Sequence, residues 1–256
     1  MGIGYKGIGA KPLYPYTPIP QYPNNMKKKL FFMVFMMSLT LASYSQTVVL
    51  EMDPRVDSIK SKFGKNRKHY THIIFGFGSI FGATEKIIPI DYWGAWNHNF
   101  SILYKRRFNN TYSTGFTFGY VNNRYTLKQT AEKKFPSNFI NKHERFVTHG
   151  LLTHWFHRIN FGKRGNQIGT YLEAGLGYNY YMKVTHITEN TVNDYPVEVN
   201  TTVNKMFNQG EYSWTIKFGR NAYVFYFSQR ISPSIKDENG NPDLPVYTAG
   251  MEFGLF

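Results

Sequence analysis

The chain has 256 residues, 30 lysines and arginines against 16 acids for a net charge of +14, and no cysteine. Without cysteine it has no disulfide framework, and no thiol stands after the N-terminal apolar run to accept a lipid. Aromatic residues make up 18% of the sequence and glycine is frequent, with 22 residues; no apolar run reaches the roughly 20 residues of a membrane-spanning helix.

Residues 1–25 hold Pro12, Pro15, Pro18, Pro20 and Pro23 and follow neither a helical nor a strand period, as in a disordered or polyproline-like tail. Lys27, Lys28 and Lys29 then precede an apolar run over 30–42, and Ser43 and Ser45 are small residues placed before Gln46. This is the layout of a cleaved export signal over residues 26–45. Such a signal is read from a free N-terminus, so the layout favours a start at Met26, with a genuine N-terminal extension as the rival reading. Cleavage after residue 45 of 256 leaves 211 residues, enough for one domain. It removes five lysines and no acid, and the remaining 25 basic and 16 acidic residues give +9. The densest basic run is Lys60, Lys62, Lys65, Arg67 and Lys68. For an exported chain the partner expected of such charge is lipid or lipopolysaccharide phosphate, not nucleic acid. Residues 46–69 form a periplasmic segment in this reading, in which Asp53 and Pro54 either cap one short helix or lie in a linker.

From residue 70 the sequence alternates with a period of two, the mark of strands with two different faces. In 71–82, Ile73, Phe75, Phe77 and Phe81 oppose His72, Gly76, Gly78 and Gly82. The next runs set Phe100, Ile102 and Tyr104 against Asn99, Ser101 and Lys105, and Phe116, Phe118 and Tyr120 against Gly115, Thr117 and Gly119. Residues 146–161 carry large side chains on both parities, so the facing of that strand stays open. Leu172, Leu176 and Tyr180 then oppose Glu173, Gly175 and Gly177; Tyr212, Ile216 and Phe218 oppose Glu211, Thr215 and Lys217; Tyr223, Phe225 and Phe227 oppose Val224, Tyr226 and Arg230. The last run opposes Tyr247, Met251, Phe253 and Leu255 to Thr248, Gly250 and Glu252. Tight turns are expected at Asn109 and Asn110, at 162–166 and at 219–221, and longer polar connections near 83–96, 128–142, 185–209 and 232–245. Short connections on one rim and long ones on the other are the layout of an outer-membrane barrel.

An eight-stranded ring has an interior just wide enough for ordinary side chains, so the aromatic parity belongs outside and the small parity inside. The inward parity then carries Glu173, Glu211 and Glu252 with Lys105, Arg107, Lys217 and Arg230, expected to pair across the lumen because buried charge must be compensated; charges wetted at the rims are the alternative. Arg106 and Arg124 fall on the aromatic parity near strand ends, where long side chains reach an interface. The 128–145 loop is the most basic exposed region, and Lys133, Lys134 and Arg145 are the expected lipopolysaccharide contacts.

No catalytic, metal or cofactor site emerges. His154 and His157 lie three apart on a strand and face opposite ways, while His149 and His157 are separated by about 26 Å at strand rise. His98 and Ser101 are likewise three apart, so no strand presents a histidine and a serine two apart on one face, and a nucleophile–base pair assembled from different strands stays open. The stretch at 76–82 lacks the dinucleotide glycine spacing, and residues 162–166 lack that of a P-loop.

On the signal ending in Ser45 and Gln46, the stretch at 171–181 after a tight turn, and the final strand to Phe256, the chain resembles the small outer-membrane β-barrel proteins of the Bacteroidota, which are broadly similar to OmpA and OmpX barrels. The resemblance covers residues 70–256. It implies a C-terminal assembly signal, matched by Thr248, Gly250, Phe253 and Leu255 when the pattern ends one residue before Phe256, and hence recognition by the barrel-assembly machinery. The expected architecture is therefore all-β: an eight-stranded, antiparallel, up-and-down transmembrane β-barrel. The expected protein is monomeric and sits in the outer membrane with a structural or surface-interaction role and a side-chain-filled lumen. A lipid A-modifying enzyme and a soluble periplasmic lipocalin-like carrier are the alternatives.

Overall fold

A strand whose two faces differ is stable only if one of them is covered, and here the chain covers it by closing the sheet on itself. The computed structural model describes residues 61–162, 165–236 and 242–255. The expected export signal over residues 26–45, residues 1–25, the segment at Asp53 and Pro54, and Phe256 lie outside the described residues.

Among the described residues nine strands follow one another: β1 (His69–Phe81), β2 (Ile90–Arg107), β3 (Tyr112–Leu127), β4 (His143–Phe161), β5 (Thr170–Val192), β6 (Tyr195–Thr202), β7 (Gly210–Arg220), β8 (Tyr223–Arg230) and β9 (Tyr247–Leu255). They form one antiparallel sheet in the order β4-β3-β2-β1-β9-β8-β7-β5-β6, and an additional β4–β5 pairing closes it in a ring. Eight strands were expected, and eight do make the ring. The ninth, β6, pairs only with β5, and it comes from the stretch expected to be a polar loop over 185–209. Asn193 and Asp194 adopt positive φ of 50° and 64°, which makes a two-residue hairpin turn. On either side of it, Thr185–Val192 pairs with Tyr195–Thr202.

The connections at 108–111, 162–169 and 221–222 lie on one rim, and those at 82–89, 128–142, 203–209 and 231–246 on the other. At the first short turn the Asn109 side-chain oxygen accepts from the backbone N–H of Thr111 (2.9 Å) and of Tyr112 (2.7 Å), which fixes the reversal.

The aromatic parity is exposed on the outside of the ring and the opposite parity is buried. Phe75, Phe100, Phe118, Leu176, Phe218 and Phe225 are each about half exposed, whereas Ser101, Lys105, Thr117, Glu173 and Lys217 are buried. The facing of β4 is settled the same way: Val147, Leu151, Trp155 and Ile159 turn outward, and Phe146, Phe156 and Arg158 turn inward. The interior also holds rings that the size argument did not anticipate, with Tyr70, Tyr125, Tyr171, Tyr181 and Tyr226 all buried. Facing glycines make the room. A Cβ on Gly219 would lie 2.3 Å from Tyr171 Cζ, and one on Gly78 would lie 2.2 Å from the Tyr226 hydroxyl.

Apolar clusters close the ring at both rims. Ile88, Phe135, Phe207, Ile235 and Leu244, drawn from all four long connections, pack against Val121, Tyr125, Phe146 and Tyr181. At the short-turn rim, Tyr70, Ile168, Tyr171 and Val224 form a second cluster. Because Gly219 abuts a rigid ring, Gly219→Ala is expected to lower stability by about 1–3 kcal/mol, the usual cost of overpacking. An unchanged unfolding midpoint would contradict this account of the packing.

Candidate functional site

The inward parity places charges from neighbouring strands on one rung. Arg158 of β4 faces Glu173 of β5, which in turn faces Lys217 of β7. The Arg158 guanidinium donates to one Glu173 carboxylate oxygen from Nε (2.9 Å) and Nη2 (2.7 Å). Lys217 Nζ lies 3.9 Å from the other Glu173 oxygen and donates to both oxygens of Glu252, at 2.8 and 2.9 Å. The result is an alternating row, Arg158, Glu173, Lys217 and Glu252, crossing the interior. The Arg158 guanidinium also lies over the Tyr171 ring, 3.8 Å from its centroid.

Nearer the long-loop rim, Arg230 lies 3.8 Å from Glu211 and donates to Asp243 (2.8 Å) and to the Leu244 carbonyl (2.6 Å). Glu211 accepts from the Tyr181 hydroxyl (2.6 Å) and from Ser234. These bonds tie the 231–246 connection into the ring.

Of the seven charges expected to form a lumen network, Glu173, Lys217 and Glu252 therefore meet in one row and Glu211 and Arg230 in a second. Lys105 is buried and donates to the Lys65 carbonyl (2.7 Å), near the short-turn rim. Arg107 does not join a row; it sits at that rim and donates to the side-chain oxygens of Asn66 and Asn110, both at 3.1 Å. Arg158 was missed because it lies in the strand whose facing stayed open; once Trp155 and Ile159 point outward, Arg158 must point inward. Asp243 and Ser234 lie in a loop, where no period marks an inward side chain.

The expected surface contacts of the 128–145 loop are placed differently. Lys133 is buried, not exposed, and donates to Glu144. Glu144 also accepts from Asn141 (2.9 Å) and Gln129 (3.1 Å) and meets His186 at 2.7 Å. Lys133 therefore holds its loop onto β4. Lys134 is exposed, while Arg145 bridges Glu189 and Glu198 on the β5–β6 hairpin. Thr248, Gly250, Phe253 and Leu255 of the expected assembly signal lie on β9, facing Ile80, Gly78, Phe75 and Ile73 of β1.

Between the charged rows lies a cavity of about 90 Å³, lined among others by Asn99, Thr117, His154, Asn179 and Lys217. This volume suits a few waters. Among the described residues no group of three histidines, cysteines or acids could hold a metal ion. His154 is buried inside the ring, whereas outside it the Tyr112 hydroxyl lies 2.6 Å from His157 Nδ1 and Tyr120 bonds to His149 Nδ1. On the outer face Ser79 lies diagonally across from His98, since Ser79 faces Trp96 and Phe77 faces His98. Among the described residues no serine hydrogen-bonds to a histidine. A comparison with protein-family models and with curated proteins finds no match to this chain.

Two outcomes follow. Arg158→Met strands the Glu173 carboxylate and is expected to cost about 3–5 kcal/mol, whereas Arg158→Met combined with Glu173→Leu recovers most of the loss; equal loss in the single and double variants, measured by chemical unfolding, would rule out the pairing as the cause. On the hairpin, the hydrogen bond from Arg145 holds the Glu189 carboxyl below the usual carboxylate range. A carboxyl with a depressed folded-state pKa contributes above its ordinary value, near pH 4.3, and loses that contribution as the pH falls through the depressed one. Protease cleavage at 193–195 is therefore expected to rise only as the pH falls below the ordinary carboxylate range. Arg145→Gln is expected to remove that onset, and a variant with the wild-type pH profile would speak against the clamp.

Proposed function

We propose that the ring is an eight-stranded transmembrane β-barrel of the outer membrane, with β5 and β6 extending beyond it, serving a structural or surface-interaction role and not forming an open pore. The observation that carries this reading is the outward face. Successive ring strands present apolar residues opposite one another: Tyr104 faces Phe116, Phe116 faces Trp155, Trp155 faces Leu176, and Leu176 faces Trp214. On the other side Phe77 faces Met251, and Met251 faces Phe225. Water offers such a belt no compensation, while hydrocarbon does. The buried ion pairs belong to the same design, because polar groups that would be costly against lipid are gathered inside.

Both rims are filled by apolar clusters, which supports the reading without a diffusion pathway. A lipocalin-like carrier needs an interior of roughly 300 Å³ or more for a small-molecule ligand, and the cavity between the charged rows is about 90 Å³. A lipid A-modifying enzyme needs a nucleophile bonded to its base, which Ser79 and His98 do not provide. The resemblance to the Bacteroidota barrels belongs to this proposal, as do export through residues 26–45 and recognition of β9 by the assembly machinery.

The test is fractionation and electrophoresis of the expressed chain. The protein is expected in the outer-membrane fraction, soluble only in detergent, with a gel mobility that changes on boiling. Extraction into buffer without detergent would overturn the proposal, and stepwise conductance in planar bilayers would overturn the closed lumen.

A further inference from the structure

We infer that Arg124, His149 and Lys183 form a binding site for a lipid phosphate on the outer face of the ring, at the long-loop rim. The inference rests on the membrane reading above and gives it a partner. The three residues come from β3, β4 and β5, adjacent strands about 4.8 Å apart. His149 faces both Asn122 of β3 and Lys183 of β5, and Arg124 lies two residues beyond Asn122, one outward-facing position nearer the rim. His149 and Lys183 face each other directly, and Arg124, whose Nε donates to Thr126 Oγ1 (3.4 Å), stands one outward position nearer the rim on the same outer face.

Lys183 reaches the outer face through a departure from regular pairing. Up to Tyr180 the even residues of β5 face outward, and strict alternation would turn Lys183 into the interior. The register shifts between His149 and Gly150, whose partners are Lys183 and Tyr181, so Met182 is extra and both Met182 and Lys183 are exposed. A bulge of this kind re-aims a side chain, and here it sets a cation beside His149.

His149 is held in the form that donates toward a ligand. Its Nδ1 accepts from Asn122 Nδ2 (3.1 Å) and bonds to the Tyr120 hydroxyl. In the neutral ring the proton therefore sits on Nε2, a donor on the opposite side of the ring. Arg124 lies over the Trp96 ring, 5.5 Å from its centroid, so the indole supports the guanidinium from one side. Neither Arg124 nor Lys183 makes an ion pair with a carboxylate among the described residues; of the outward acids nearby, Glu189 is held by Arg145 and Asp91 faces Thr126. Two cations without a carboxylate ion pair and a fixed N–H donor, beside a Trp at the edge of an apolar belt, match a phosphomonoester or phosphodiester at the membrane interface. Lys133 and Arg145 do not supply such a site, because Lys133 is buried and Arg145 is already paired.

The experiment measures lipid binding to the full chain, folded in neutral detergent, by native mass spectrometry. Lipid A, dephosphorylated lipid A and phosphatidylglycerol are the probes. Wild type is expected to bind lipid A saturably, and the dephosphorylated form at least tenfold more weakly. Arg124→Gln and Lys183→Gln, separately and together, are expected to lose that preference, while Lys134→Gln keeps it. Binding of phosphatidylglycerol with the same dependence on Arg124 and Lys183 would support a general lipid-phosphate site; its absence would assign the site to lipid A. Equal binding with and without the lipid phosphates, or variants that bind as wild type does, would overturn the inference. Heat-dependent mobility is scored on each sample first: a variant without it is set aside for the other single variant, and a wild type without it removes the membrane reading itself.

Discussion

Closure of the hydrogen-bond ladder is the constraint on which the rest depends. β4 pairs with β5 and β1 with β9, so each of the eight ring strands has a neighbour on both sides, and among the described strands only β6 keeps a free edge. Closure also fixes how much can go inside. With eight strands the interior has no room to expand, so each bulky inward residue needs a small one opposite it. Tyr171 against Gly219 and Tyr226 against Gly78 are instances of that exchange. Closure likewise sets the electrostatics, since a charge on the inward parity cannot turn to bulk water and must find its partner across a rung.

The interior that results is layered. An apolar cluster at each rim encloses rows of ion pairs and a small polar cavity. The long connections take part in this, because Ser234, Asp243 and the Leu244 carbonyl bond to side chains on the ring. Loops that could have stood away from the rim are instead held in it by buried hydrogen bonds, some to charged groups and therefore stronger than neutral ones. An opening through the ring would have to break several of these contacts together, which is why the proposed role is not transport.

Local departures from regularity shape the exterior, and two of them bear on the long-loop rim of β5. The Asn193–Asp194 turn lets β5 run past β7 and fold back as β6, where Arg145 clamps the hairpin through Glu189 and Glu198. The register shift beside His149 turns Lys183 outward. Both lie near the long-loop rim, where the proposed phosphate site also sits. In sequence neither departure changes composition; each changes only which way the following side chains point.

The sequence by itself determined the two-faced strands, the alternation of short and long connections and the placement of Glu173, Lys217, Arg230 and Glu252 on the buried face, because period two and residue size are local properties that strand geometry converts directly into facing. The tertiary structure alone decided the rest. The facing of β4, and with it the burial of Arg158, depended on which neighbours flank it in the ring. Lys133 reads as a surface lysine until Glu144, eleven positions away, takes it inside. Asp243 finds Arg230, and Lys183 finds the outer face, through a loop path and an extra residue that no period records. Partners brought together by closure depend on the whole ladder, which a local pattern does not contain.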